Sequence, residues 1–187
     1  MQFLESIELL ALLKAAKARS KRDWAMLLLA YRHGMKASEV CGLKLSDVDL
    51  KCNTVTFQRA KGSMRSTQPM ERLAGQPLLD ERAALRLWLA ERRDDSQFLF
   101  TSQKGGALTA NGFWRLFKAV AADAGIESRS CHALKHTRAS LMIEGGANLA
   151  DVRQQLGHVS LSSTLRYVHS TDAQAAKAAR KSEANIF

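Results

Sequence analysis

The sequence predicts an α+β fold that is mainly α, with helices around a small antiparallel sheet. Three observations carry this. Apolar residues recur at helical spacing, as at Leu9, Leu10, Leu12 and Leu13. Polar and apolar residues alternate in Thr54-Val55-Thr56-Phe57, which turns at Lys61-Gly62-Ser63 and returns through Met64 to Met70 as a hairpin. The chain has 187 residues, two prolines and no low-complexity stretch, so it reads as one domain with a sizeable core and no visible linker.

Each element follows from its own signals. Ser6 caps the first helix, and a second, strongly apolar helix runs from Asp23 to His33 and stops at Gly34. Ser38 or Ala37 opens a short third helix. After the hairpin, Leu78 to Arg93 is amphipathic with Leu85, Trp88 and Leu89 inward, and Phe98-Leu99-Phe100 reads as a short buried strand. Lys104-Gly105-Gly106 is a turn, because no P-loop spacing surrounds it. Thr109 caps a helix through Ala124 with Phe113, Trp114 and Phe117 as core, and Gly125 ends it. Asn148 caps a helix to Gln155 with Gly157 as terminator; Ser162-Ser163 start a last short helix that carries Tyr167. The Ala-rich, basic tail from Asp172 should be helical.

Lys plus Arg number 28 against 18 Asp plus Glu, a net charge of +10. Such an excess favours polyanions, with nucleic acid first and an acidic membrane surface second. The basic cluster Lys14, Lys17, Lys21, Arg22 is either a solvated helix end or a DNA-backbone contact. Cys41, Cys52 and Cys131 form neither a disulfide framework nor a C-x-x-C pair and read as reduced thiols of a cytoplasmic protein. The start, MQFLESIELLALLK, lacks the basic region of a signal peptide, and the apolar run from Trp24 to Tyr31 is too short to span a membrane.

Chemistry concentrates between His132 and His169, which hold four of the five histidines and one of the two tyrosines. In a helix, His132, Lys135 and His136 share one face. As a zinc site the histidine pair lacks the Glu of H-E-x-x-H, because Ala133 stands there. Further along come Arg138, Leu156-Gly157-His158 and Tyr167. Three helices can bring imidazoles, amines and one phenol around a point where a phosphate would find donors, a proton shuttle and a nucleophile.

This ordered set resembles the C-terminal signature of the tyrosine recombinases, the phage integrase family. That signature has a His-x-x-Arg box, a Leu-Gly-His turn and a nucleophilic Tyr one short helix later. The turn, the spacing from His158 to Tyr167 and the following Val168-His169 match; Lys135 stands where the box usually has its arginine. A second block, GMKASEV followed by LKLSDVDL, resembles the family's Gly-x-Arg-x-Ser-Glu and Ser-Asp-x-Asp segments. It matches at Gly34, Ser38, Glu39, Ser46 and Asp47, with Lys36 in place of the first arginine.

The resemblance covers essentially the whole chain as a catalytic domain over 1–171, with 172–187 as a tail helix exchanged between protomers. It is similar to short members that lack the N-terminal DNA-clamp domain. It implies double-stranded DNA as partner, a homo-oligomer (a tetramer) on DNA, accessory DNA-bending proteins, a nucleoid-associated cytoplasmic location, no membrane, no metal and no cofactor. Tyr167 would attack the phosphodiester, leaving a 3′-phosphotyrosine and a free 5′-hydroxyl. Lys61 would protonate the departing oxygen, His132 would act as acid and base near Tyr167, and His158 would donate to the phosphate. Lys36 and Lys135 would hold the non-bridging oxygens, with Glu39 and His136 as supports and Arg138 on DNA. Arginine offers phosphate a planar fork and lysine a single hydrated charge, so two readings stand. One is a recombinase or integrase with a lysine clamp, in which Arg32 or Arg138 could substitute for a missing guanidinium. The other is a catalytically impaired or silent DNA-binding relative with an accessory or regulatory role.

Overall fold

The most apolar helix of the sequence is the axis of the molecule. In the computed structural model, which describes residues 3–59, 65–73, 75–102, 105–127, 129–157, 162–165 and 167, α2 (Lys21–Arg32) has Trp24 to Tyr31 buried throughout. A helix apolar all round is covered on all sides. Here the cover comes from α1 (Ser6–Arg19), α4 (Glu81–Glu91) and α6 (Ala133–Glu144), while α5 (Ala110–Asp123) packs on α1. Between α2 and α4 lie α3 (Ala37–Cys41), a single 3-10 turn at Leu45–Asp47, and a three-stranded antiparallel sheet in the order β1-β2-β3. Its strands are β1 (Val48–Asp49), β2 (Thr54–Gln58) and β3 (Arg65–Pro69), with Val55 opposite Gln68 and Phe57 opposite Ser66. The chain ends its described course with α7 (Leu149–Leu156) and α8 (Ser162–Leu165).

The mainly helical α+β class holds, and several boundaries shift for identifiable reasons. Glu5, not Ser6, precedes α1, and its backbone N–H donates to Glu8 at 2.8 Å, so the cap lies one residue earlier. Likewise Ser20 accepts from the Asp23 N–H and starts α2 before Asp23. The segment Phe98-Leu99-Phe100 is not a strand. Phe98 makes one isolated bridge to Lys44, and Leu99 and Phe100 are buried beneath α4 with Trp88 Nε1 donating to the Leu99 carbonyl at 2.9 Å. Trp114 is not core: it is 42% exposed, with the Lys118 ammonium over its ring. Phe113 and Phe117, on the adjoining inward face of α5, are buried as expected. β1, two residues long, carries too little pattern to be seen in sequence.

Two turns meet where the sheet joins the helices. Gly34 ends α2 with φ +56°, and a side chain there would stand 2.4 Å from Leu156 Cδ2 at the end of α7. Glycine at 34 is favoured by the positive φ, and its lack of a side chain lets Leu156 pack directly on the turn. This contact brings the segment leading to Lys36 against the helix end leading to His158.

Candidate active site

Lys36 sits at the start of α3 in extended backbone. Its N–H donates to Glu39 Oε2 at 2.8 Å, so the Glu39 carboxylate closes the helix start and fixes where Lys36 stands. Glu39 is buried. On the facing side, α6 buries Lys135 to 6% exposure, and its ammonium donates to the Leu156 carbonyl at 2.6 Å. Burial pulls the Lys135 pKa down to about 8; the positive charges of Arg59 and Lys36 act in the same direction and Glu39 opposes them. A lysine tuned to that range can hold or release a proton near neutrality.

The neighbouring residue of α6 makes the second key contact. His136 Nδ1 lies 2.5 Å from the Tyr167 hydroxyl, with the rings tilted at 44°. Tyr167 lies just past α8 rather than on it, and is buried with Ala139, Val152 and Leu156. His132 stands at the start of α6 with helical backbone, its carbonyl accepting from the His136 N–H at 3.1 Å, but its side chain is exposed, with Ser130 Oγ 3.4 Å from its Nδ1. Among the described residues, the histidine brought to the phenol is His136. Lys61, His158 and His169 lie outside the described residues, as does the tail from Asp172.

A residue that the sequence reading passed over joins these parts. Arg59, 3% exposed, donates to the carbonyls of His33 (3.1 Å), Gly34 (3.2 Å) and Gln155, and to Glu39 Oε2 (3.4 Å). Burial lowers the Arg59 pKa and Glu39 opposes that. The signal for it was present: the alternation that buries Val55 and Phe57 reaches Arg59 two residues further on. Beneath it, Gln68 Nε2 donates to the Gln155 carbonyl at 3.1 Å, and Gln155 Nε2 donates to the Arg32 carbonyl and to Gln68 Oε1. His33 completes this layer between Gln68 Oε1 (2.7 Å) and Glu81 Oε2 (3.0 Å). Nothing in the sequence links residues so far apart.

The remaining candidates have varied surroundings, and the buried Arg138 Nε has no hydrogen-bond partner among the described residues. Arg32 faces Glu81 at 3.8 Å, and the Arg138 guanidinium lies 6.0 Å from the Tyr31 ring centre. Neither is the guanidinium beside the lysines; Arg59 is. In the basic cluster, Lys14 is exposed, Lys17 lies over Trp24, Lys21 pairs with Glu91, and Arg22 pairs with Asp23. A polar cavity of about 560 Å³ opens beside Glu39 and Arg59, lined also by Lys44, Asp47, Gln58 and Arg65. Among the described residues no group of three His, Cys, Asp or Glu is placed to hold a metal, and no helix is long and apolar enough to cross a membrane.

Comparison with known proteins gives a consistent likeness. The phage integrase family model matches residues 2–174. The tyrosine recombinase XerC of Roseiflexus sp. (strain RS-1) is 36% identical over 160 residues, which make up 85% of this chain and 51% of the relative. The chain thus spans about half of that protein. The type 1 fimbriae regulatory protein FimE of Escherichia coli (strain K12) is 30% identical over 185 residues, covering 92% of this chain and 88% of the relative. Among solved structures, that of XerA recombinase superposes with a TM-score of 0.80 at 25% identity, over 97% of this chain and 65% of the other. XerH recombinase bound to difH substrate shares the fold, with a TM-score of 0.76 at 23% identity over 96% of this chain and 54% of the other.

Lys135 makes the site pH-sensitive with a definite sign. An unfolded lysine keeps its proton to about 10.5, whereas folded Lys135 releases it at about 8. Between those values the unfolded chain binds more protons, so stability rises with pH. Relative to Lys135→Met, the wild-type protein should gain up to roughly 3 kcal/mol between about pH 7 and pH 10. Urea midpoints of both proteins at each pH check this; parallel curves would contradict it.

Proposed function

The chain belongs to the phage integrase family, and we propose that it breaks and rejoins double-stranded DNA at a specific site through a 3′-phosphotyrosine intermediate. The observation that carries this reading is the 2.5 Å contact between the Tyr167 hydroxyl and His136 Nδ1, on the residue next to Lys135. A buried phenol is a poor nucleophile until a neighbouring base takes its proton. In this reading His136 receives that proton and the Tyr167 oxygen bonds to phosphorus. The bond to the 5′-oxygen breaks, and Lys61 delivers a proton to the leaving oxygen. Lys36 and Lys135 neutralise the non-bridging oxygens as negative charge builds there. His158 adds a hydrogen bond to the phosphate; on resealing Lys61 takes the proton of the attacking 5′-hydroxyl and His136 returns one to the Tyr167 oxygen, with His132 as the acid and base that exchanges this proton with solvent. The phosphotyrosine conserves the bond energy, so neither ATP nor a metal is required.

The same reading takes double-stranded DNA as partner, held by Lys14, Lys17, Lys21, Arg22 and Arg138, with a tetramer assembled by exchange of 172–187, accessory DNA-bending proteins and a nucleoid setting in the cytoplasm. One observation favours the second reading. Lys135 is buried and committed to the Leu156 carbonyl, and a clamp closed on its own chain would suit a DNA-binding relative that does not cleave.

Two experiments separate the readings. With nicked DNA carrying the protein's site, wild type should form a covalent adduct, and Tyr167→Phe should abolish it while leaving DNA affinity nearly intact. An adduct that survives this change removes Tyr167 as nucleophile. Lys36→Arg, which restores a planar fork at the same helix start, should raise the cleavage rate on the order of 10²-fold with little change in affinity. Cleavage that stays absent in the Lys36→Arg, Lys135→Arg double variant, with DNA binding intact, selects the silent relative.

A further inference from the structure

Arg59 is a buried cation that the chemistry assigned to Tyr167, Lys36 and Lys135 does not use. Its position is specific. Its acceptors are the carbonyls of His33 and Gly34, just ahead of Lys36; the Glu39 carboxylate, which also holds the Lys36 N–H; and the Gln155 carbonyl, next to the Leu156 carbonyl that takes Lys135. The Phe57 ring lies 4.5 Å from the guanidinium. The chain at Gly157 is shaped around the same side chain: φ is +63°, and a Cβ there would stand 2.6 Å from Arg59 Nε. That Nε has no partner among the described residues. An open buried donor is a cost that needs a reason.

On the premise of that chemistry, we propose that Arg59 is the positioning residue that makes a lysine clamp workable. It holds the segment bearing Lys36 and the α7 end that anchors Lys135 at one fixed separation. The physical need is plain. An arginine at the clamp orients itself, because its planar fork meets two phosphate oxygens at once; an ammonium on a flexible stem does not. Two lysines serve only where their surroundings fix both ammonium groups. Arg59 supplies this by reaching both backbones with one rigid fork. Its charge also bears on Lys135, in the same direction as that of Lys36 and against Glu39. The other groups around Lys135 are committed: Leu156 through its carbonyl, His33 and Arg32 to Glu81 on the α2 side, and His136 to Tyr167 on its own helix.

The test reads two quantities on the full chain. One is the rate of covalent adduct formation with nicked site DNA across pH. The other is the titration midpoint of Lys135 without DNA, from the ¹³Cε resonance of ¹³C-lysine-labelled protein, identified by its loss in Lys135→Met. Arg59→Gln, which removes charge and fork, should raise the Lys135 midpoint, move the pH profile of cleavage with it, and slow adduct formation on the order of 10²-fold. Arg59→Lys, which keeps charge and loses the fork, should leave the midpoint low and still slow the adduct. A role confined to stability would lower the folded fraction without moving the midpoint. Wild-type midpoint and rate in Arg59→Gln would overturn the proposal. If that variant does not fold, a wild-type rate in Arg59→Lys would overturn it equally. Failure of the wild-type protein to form any adduct refutes DNA cleavage instead, and the Lys135 midpoints in the Arg59 variants still decide whether Arg59 governs the clamp.

Discussion

Burying a guanidinium removes five N–H donors from water, and Arg59 meets most of that demand with main-chain carbonyls from two turns distant in sequence. Helix ends leave carbonyls unsatisfied. The end of α2 offers His33 and Gly34, and the end of α7 offers Gln155. One fork satisfies both, which is why two glycine-bearing turns can lie against each other in the protein interior. Gly34 and Gly157 favour the approach, with positive φ at each and the Leu156 and Arg59 side chains packed directly on them. The layer of His33, Gln68, Gln155 and Glu81 beneath extends the same joint to β3 and α4. Remove the joint and the segments bearing Lys36 and Lys135 lose their fixed relation.

The joint gives the site its electrostatic character. Arg59 pairs with the buried Glu39 carboxylate, and the charges of Arg59, Glu39 and Lys36 all bear on Lys135. Burial first, and then repulsion from the neighbouring cations, draws the Lys135 pKa down, and the group that yields is the lysine, since a guanidinium holds its proton far more firmly. An incoming phosphate would relieve that repulsion.

Much of this was legible in the sequence, for local reasons. The apolar run of α2, the hairpin alternation, the Asn148 cap and the Gly157 stop are written in neighbouring residues, and the structure follows them. Where reading failed, tertiary contacts decided. Trp114 lies on the helical pattern of α5 but on the face that nothing covers. Phe98 to Phe100 has the composition of a strand, but its pairing is reduced to one isolated bridge at Lys44 and single backbone hydrogen bonds to Leu43 and Leu108. Lys36 and Lys135 could be named from motif position, whereas the choice of His136 over His132 as the partner of Tyr167 depends on where α6 begins. Arg59 sat in plain view on the inward side of β2's alternation. Its role needed the positions of Gly34 and Gln155, which lie 25 and 96 residues away.

The central claim is that Lys36 and Lys135 act on the non-bridging oxygens of one phosphodiester. The most direct measurement compares covalent adduct formation on ordinary site DNA and on the same DNA with a methylphosphonate at the cleaved position, where one charged oxygen is replaced by a methyl group. Wild type and Lys135→Met are run on each. The account predicts that the substitution is costly on the phosphodiester and nearly without effect on the methylphosphonate, because the charge that Lys135 serves is gone. An equal cost on both substrates would contradict it, and would place the work of Lys135 in the protein's own structure rather than at the phosphate.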